Sequence, residues 1–294
     1  MKKGLVFSLL IIALLALFSV KIGCLAEGSA IKEVSVTPNE EVKQGETVFI
    51  RIKTSDELRD PVFSYKNKKY KIFKTGENEY TGLLGINTLE KPGKYKIYMS
   101  DQNGNLKDKA YISVIAKDHP KQYITVTKGM AGLRATAHEL RQIGRAKYTL
   151  TDIKLRAEPP YNSPADGCII SEFGVRRYYN GEFSGNYHKG VDIKAPTGEP
   201  VRSITDGKVI FADDTFRLHG ASVAVDHGQG LTSLYIHLSK VDVKEGDIVK
   251  ADQKIGEVGM TGFATGPHLH WGLYVNGTPV DPMQGWIKPV NLCK

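Results

Sequence analysis

The sequence predicts a mostly β protein built as two β units joined by a helical link. Three observations carry this. Short runs rich in Val, Ile and Tyr recur at 201–211, 221–226, 231–238, 247–250 and 255–258, separated by Gly and Asp, which is the pattern of a many-stranded antiparallel sheet. Glu33-Val34-Ser35-Val36 and Val48-Phe49-Ile50-Arg51-Ile52 alternate apolar and polar residues, as half-buried strands do. Between these regions the alternation stops. Ala135 to Arg145 is helix-prone, and Pro159-Pro160 closes the stretch with an extended stop.

Taken in order, the chain opens with Lys2 and Lys3 before an apolar run from Leu5 to Val20, and Cys24-Leu25-Ala26 offers small residues for cleavage after Ala26. That is the pattern of a secretory signal peptide over 1–26, so the protein is expected to be exported to the periplasm or cell envelope. The run is long for a signal and short for a comfortable span, which leaves membrane anchoring through residues 5–20 as the alternative. A lipidated Cys24 fits less well, because Lys21 stands where an aliphatic residue is usual.

Residues 27–117 are expected to form a β-sandwich. Gln44-Gly45 marks a turn, and Lys91-Pro92-Gly93 leads into the strand-like Lys94-Tyr95-Lys96-Ile97-Tyr98-Met99. In composition and spacing this unit resembles an immunoglobulin-like sandwich, without the cysteine pair or core tryptophan that marks one. It offers no acid–base cluster and is expected to position or target. Residues 118–160 read as a linker with a helix. Residues 161–294 carry the chemistry, and Asn276-Gly277 between Leu273-Tyr274-Val275 and Thr278-Pro279-Val280 is a hairpin signal in this last unit.

The chemistry sits in three motifs. His268 and His270 are two apart in a strand-like run, so their imidazoles project from one face. In Tyr187-His188-Lys189-Gly190-Val191-Asp192-Ile193, a strand register puts His188 and Asp192 opposite Val191 and Ile193. Two imidazoles and a carboxylate suit Zn²⁺, and three protein ligands leave a fourth position for water. His237 lies alone in the apolar Leu234-Tyr235-Ile236-His237-Leu238. Each residue has a bland reading: a satisfied core histidine, a strand-end aspartate, a solvated surface pair. All of them at this spacing do not.

Together these motifs resemble the lysostaphin/LytM-type zinc endopeptidases, which cut peptidoglycan cross-links. The pattern is His-x-x-x-Asp (His188, Asp192), then Tyr-x-His-Leu (Tyr235, His237), then His-x-His (His268, His270). Phe173-Gly174-Val175-Arg176, Ala195-Pro196-Thr197-Gly198, Gly262 and Thr265-Gly266-Pro267 match the flanks. The resemblance covers about 161–285. It implies His188, Asp192 and His270 as zinc ligands and His237 and His268 as catalytic histidines, without saying which of the two is the base. It also implies a C-terminal antiparallel β peptidase domain of barrel-sandwich-hybrid type and peptidoglycan as partner. Two bonds fit: D-alanyl–diaminopimelate cross-links in a directly cross-linked wall, or glycine bridges in another. The loops expected to decide, 175–187 and 212–220, carry no readable code.

Other chemistries fail. His138-Glu139 begins like a zincin motif, but Gln142 holds the second histidine position, so it reads as a polar helix. Gly220-Ala221-Ser222-Val223-Ala224 lacks the closing glycine of a nucleophile elbow. No phosphate loop is present. His119, His219 and His227 have no partner motif, and His227 reads as a residue that orders a turn. Asp206-Gly207 and Gly246-Asp247 resemble biotinyl carrier turns without an acceptor lysine at a hairpin tip, which points to shared architecture.

The chain carries +8, and loss of Lys2, Lys3 and Lys21 with the leader lowers this by three. A modest basic excess suits an anionic wall and is too diffuse for nucleic acid. Cys168 and Cys293 remain after cleavage, and an exported protein permits their pairing. Two other classes compete with the enzyme: a non-catalytic wall-binding activator of a separate amidase, and an envelope adhesin. Activators of that kind are degenerate at the metal positions, whereas here all five are intact. The oligomeric state is not legible.

Overall fold

The computed structural model describes residues 31–38, 41–100 and 108–293. The signal or anchor expectation for 1–26 lies outside them. No helix of the described residues is long and apolar enough to cross a membrane.

The first half is two sheets over one core. One sheet has the order Ile31–Thr37, Thr47–Thr54, Glu79–Gly85, Phe73–Gly76; the other Glu41–Lys43, Asp108–Ile115, Gly93–Ser100, Val62–Tyr65, Lys68–Lys71. The alternation seen in the sequence is the cause. Val48, Ile50 and Ile52 point inward at 0%, 0% and 1% exposure, and meet Phe63, Ile97 and Ile112 from the facing sheet. This is a two-sheet β-sandwich.

The second half is built on a ten-stranded sheet. Its centre is Leu231–Val241, which pairs antiparallel with Ala221–Asp226 on one side and Leu269–Val275 on the other. The near-continuous apolar runs of these strands mean burial on both faces, and Leu269–Val275 is buried throughout. The sequence run 201–211 divides into Pro200–Arg202 and Gly207–Asp213. The break is an Asp206 turn whose carboxylate accepts from the Ala251 backbone and from Lys250. Asn276-Gly277 turns the chain from Leu269–Val275 into Thr278–Val280, with both residues at positive φ, +49° and +84°, as a two-residue hairpin requires.

The region 118–160 is more than a connector. Its strand Lys121–Ile124 pairs parallel with Arg176–Tyr179, which pairs in turn with Glu182–Tyr187. Its helix Ala137–Tyr148 starts at a capping box, in which the Thr136 hydroxyl accepts from the Glu139 backbone and Glu139 accepts from the Thr136 backbone. Ile143 and Ala146 of that helix pack on Phe211, Leu234 and Ile236. The sandwich also docks on the second half. Trp286 donates to Thr47 Oγ1 at 3.1 Å, its ring lies 5.1 Å from Phe49, and Leu83 joins the second core. A disulfide joins Cys168 to Cys293.

Candidate active site

Strand register assembles the centre. Val191–Lys194 pairs with Leu269–Val275 so that Asp192 stands opposite His270. Opposed residues of antiparallel strands share a face, and His270 Nδ1 lies 2.8 Å from Asp192 Oδ1. His188 enters just before the strand, with Nε2 at 3.0 Å from the same oxygen and 2.9 Å from His270 Nδ1. Gly190 makes the approach possible. A Cβ there would lie 2.3 Å from the Trp271 carbonyl oxygen and 2.9 Å from His270 Nε2.

These three residues fit a metal ion. One ligand-type atom of each lies within 4.8 Å of the others. The mutual distances of 2.8 to 3.0 Å are close to the ~3.3 Å that separates tetrahedral ligands placed ~2.0 Å from Zn²⁺. His188 donates from Nδ1 to the Glu172 carbonyl at 2.8 Å, which leaves the Nε2 lone pair aimed into the triangle. Two imidazole nitrogens beside one carboxylate oxygen form a borderline donor set that prefers a transition-type cation to Mg²⁺ or Ca²⁺.

A layer behind the centre holds it in place. Asp192 Oδ2 accepts from Arg177, which also donates to Ser171 Oγ at 3.1 Å and, from Nε, to Gln122 Oε1 at 3.3 Å. Burial alone would raise the Asp192 carboxyl, but His188 and Arg177 hold it well below the usual range. Burial lowers His188 and takes His270 down to about 4, against the pull of Asp192. Both rings are therefore neutral at pH 7, the ligating form.

His237 and His268 stand beside this centre, with ring centroids 4.9 Å apart. His237 has φ +66°, a left-handed conformation that costs a non-glycine residue ~1–3 kcal/mol. It lies where pairing with Ala221–Asp226 slips between Val223↔Tyr235 and Ala221↔Leu238. A bulge re-aims a side chain, and here it turns the ring toward the site. His237 donates from Nδ1 to the Thr261 carbonyl, and His268 to the Gly266 carbonyl, each at 2.8 Å. Both are left with Nε2 as a proton acceptor. Burial, then the charges of His268 and His270, keeps His237 well below the ordinary imidazole range. His237 lines a cavity of about 560 Å³, and His268 an adjoining one of about 340 Å³.

The structure thus brings together all five residues that the motifs singled out. It adds residues that they did not. His219, without a partner motif in the sequence, lines the larger cavity. Its partner is Glu139, fully buried, which accepts from the backbones of Arg217, Leu218 and His219 and from His219 Nδ1 at 2.5 Å. Glu139 stands in the first turn of its helix, and nothing in that local position points to a loop 80 residues on. His138 bonds Asp213 at 2.9 Å and is exposed, in keeping with a polar helix and no zincin site. His227 donates from Nδ1 to the Asp206 carbonyl and lies 2.7 Å from Ser233 Oγ, so it ties strands together as well as a turn.

Residues 186–282 match Peptidase family M23. The peptidoglycan DD-endopeptidase ShyA of Vibrio cholerae is 37% identical over 159 residues, 53% of this chain and 36% of the relative. The glycyl-glycine endopeptidase ALE-1 of Staphylococcus capitis is 42% identical over 116 residues, 38% of this chain and 32% of the relative. The chain therefore spans about a third of the length of these curated relatives. A peptidase M23 crystal structure from Pseudomonas aeruginosa matches with TM-score 0.60 and 29% identity, over 80% of this chain and 91% of that one. The catalytic domain of lysostaphin from Staphylococcus simulans is 35% identical over 40% of this chain and 90% of that one, with TM-score 0.36.

Proposed function

The chain belongs to peptidase family M23 through residues 186–282, and from that premise we propose that it is a zinc-dependent endopeptidase hydrolysing the peptide cross-links of peptidoglycan. One observation carries the reading. Ligand-type atoms of His188, Asp192 and His270 converge on one point, with two further histidines beside it whose Nδ1 atoms are already engaged.

His188 Nε2, Asp192 Oδ1 and His270 Nδ1 would hold the zinc ion, which when bound would supply an acidified water and polarise the scissile carbonyl. The remaining work falls to the chain. Nε2 of His237 or His268 takes the proton of the attacking water and passes it to the leaving amine. The other ring, once protonated at Nε2, donates to the oxyanion. The carbonyls of Thr261 and Gly266 hold each ring with Nδ1 protonated, which leaves Nε2 free to accept; the ring that donates to the oxyanion does so as the imidazolium, after Nε2 takes a proton from solvent. Arg177 fixes the Asp192 carboxylate, and Gln122 and Ser171 fix Arg177; such outer partners are typically worth 10–100-fold in metal affinity.

The substrate reading leans on the relatives' names and on the basic character of the chain. Peptidoglycan lies outside the membrane, which agrees with the export leader expected at 1–26. The test is digestion of purified sacculi with the zinc-loaded protein, followed by separation of the muropeptides. Cross-linked dimers should fall and monomers rise, with glycan–peptide linkages intact. An unchanged dimer fraction would contradict the reading, and release of free stem peptides from the glycan would indicate an amidase instead.

A further inference from the structure

The cavity beside the catalytic histidines has an unbalanced charge. Its lining includes Arg134, Lys147, Arg177, Lys189 and His219, and no Asp or Glu. Two of these cations are spoken for. Arg177 is neutralised by Asp192, and Arg134 donates to the carbonyls of Ala131 and Leu133 at 2.9 and 2.8 Å. His219 is held by Glu139, which lies behind it with its oxygens filled by backbone donors. Lys147 and Lys189 have no carboxylate partner among the described residues. Lys147 reaches in from the helix Ala137–Tyr148, and its ammonium lies over the Tyr274 ring at 5.4 Å. Lys189 follows His188 directly in the chain.

We propose that Lys147 and Lys189 form a subsite for a free carboxylate on the substrate residue beside the scissile amide. Lys147 is half-buried and Lys189 exposed at the cavity rim; a partly desolvated cation without a counter-ion, such as Lys147, is relieved by an incoming anion. Burial, then the nearby Lys189, pushes Lys147 down to about 8, so Lys147 stays mainly charged at neutral pH, and an anion between the two side chains relieves their repulsion. The same cavity is lined by His188, His237 and His270, which puts the carboxylate next to the bond that is cut. The inference rests on the peptidase reading and narrows it. A D-alanyl–diaminopimelate cross-link keeps a free carboxylate on the residue that supplies the amine. A glycine bridge has none at that place.

The test compares two cross-linked tetrapeptide dimers, one with that diaminopimelate carboxylate free and one with it amidated. Binding is measured by calorimetry on the full-length chelated protein, and kcat/KM on the zinc-loaded protein. A charge-assisted bond in a partly buried site corresponds to a preference on the order of tenfold or more for the free acid. Lys147→Met should bring the ratio near one with the fold intact by circular dichroism, and Lys147→Arg should keep most of it. Lys189→Met gives the same reading if Lys147→Met does not fold. Equal affinity of the wild type for the two dimers, or a full preference surviving Lys147→Met, overturns the subsite. A binding preference without hydrolysis of either dimer leaves the subsite standing and sinks the peptidase reading; equal binding and equal cleavage does the reverse.

Discussion

Three of the four histidines around the centre donate from Nδ1 to a backbone carbonyl, of Glu172, Thr261 and Gly266; His270 instead turns Nδ1 toward Asp192. His188 Nε2 and His270 Nδ1 point into the triangle with Asp192, whereas His237 and His268 keep Nε2 as a proton acceptor beside it. His270→Ala should leave two ligands and lose both metal and activity. His237→Ala and His268→Ala should keep near-stoichiometric zinc and lose turnover by ~10²–10⁴-fold. Metal analysis of the three purified variants checks this, and an emptied site in His268→Ala with zinc kept in His270→Ala would reverse the assignment. His227 makes a separate claim on stability. Burial takes it from 6.5 down to about 4, so the fold favours the neutral ring. The contribution is present above pH 6.5 and is lost as pH falls from there toward 4. It amounts to about 3 kcal/mol. Urea midpoints at pH 7 and pH 4 should differ less in His227→Gln than in the wild type; parallel losses would remove His227 as the cause.

At the scale of elements, the helix Ala137–Tyr148 and the loop 217–219 act as one piece, because one carboxylate caps the helix and receives the loop. Glu139→Ala strands four backbone N–H groups, of Thr136, Arg217, Leu218 and His219, and should cost about 3 kcal/mol or more. Activity should fall with it, because the His219 wall and the helix that carries Lys147 lose their anchor. A chain begun near residue 160 also lacks Gln122 and should lose at least as much. Calorimetric unfolding and dimer hydrolysis of both check this, and a fully active truncation would contradict it. This dependence gives 118–160, read from sequence as a linker with a helix, a supporting role at the site. That role is hidden by sequence distance. His188 and Asp192 are four apart and His268 and His270 two apart, so local periodicity reveals them. Ala221–Asp226 was legible as an apolar run with turn residues at its ends. Glu139 and His219 meet across 80 residues, and no local pattern encodes such a contact. The bulge that turns His237 is likewise a product of two strands slipping past each other, which the apolar run 234–238 does not show.

Across the whole molecule, the sandwich and the peptidase half share a packed boundary at Phe49, Leu83 and Trp286, and Cys293 is tied back to Cys168 at the edge of the large sheet. The helix Ala137–Tyr148 lines the cavity at His237, and the strand Lys121–Ile124 lines the adjoining cavity at His268. The architecture therefore supports a site rather than merely carrying one. Hydrolysis is expected to depend on a metal ion at His188, Asp192 and His270. The most direct measurement is the rate of cleavage of a purified cross-linked muropeptide dimer by the full-length protein, first stripped with a strong chelator and then titrated with Zn²⁺. The stripped protein should show no cleavage, and activity should recover to saturation at one Zn²⁺ per chain. Cleavage at the full rate in the metal-free protein would contradict it.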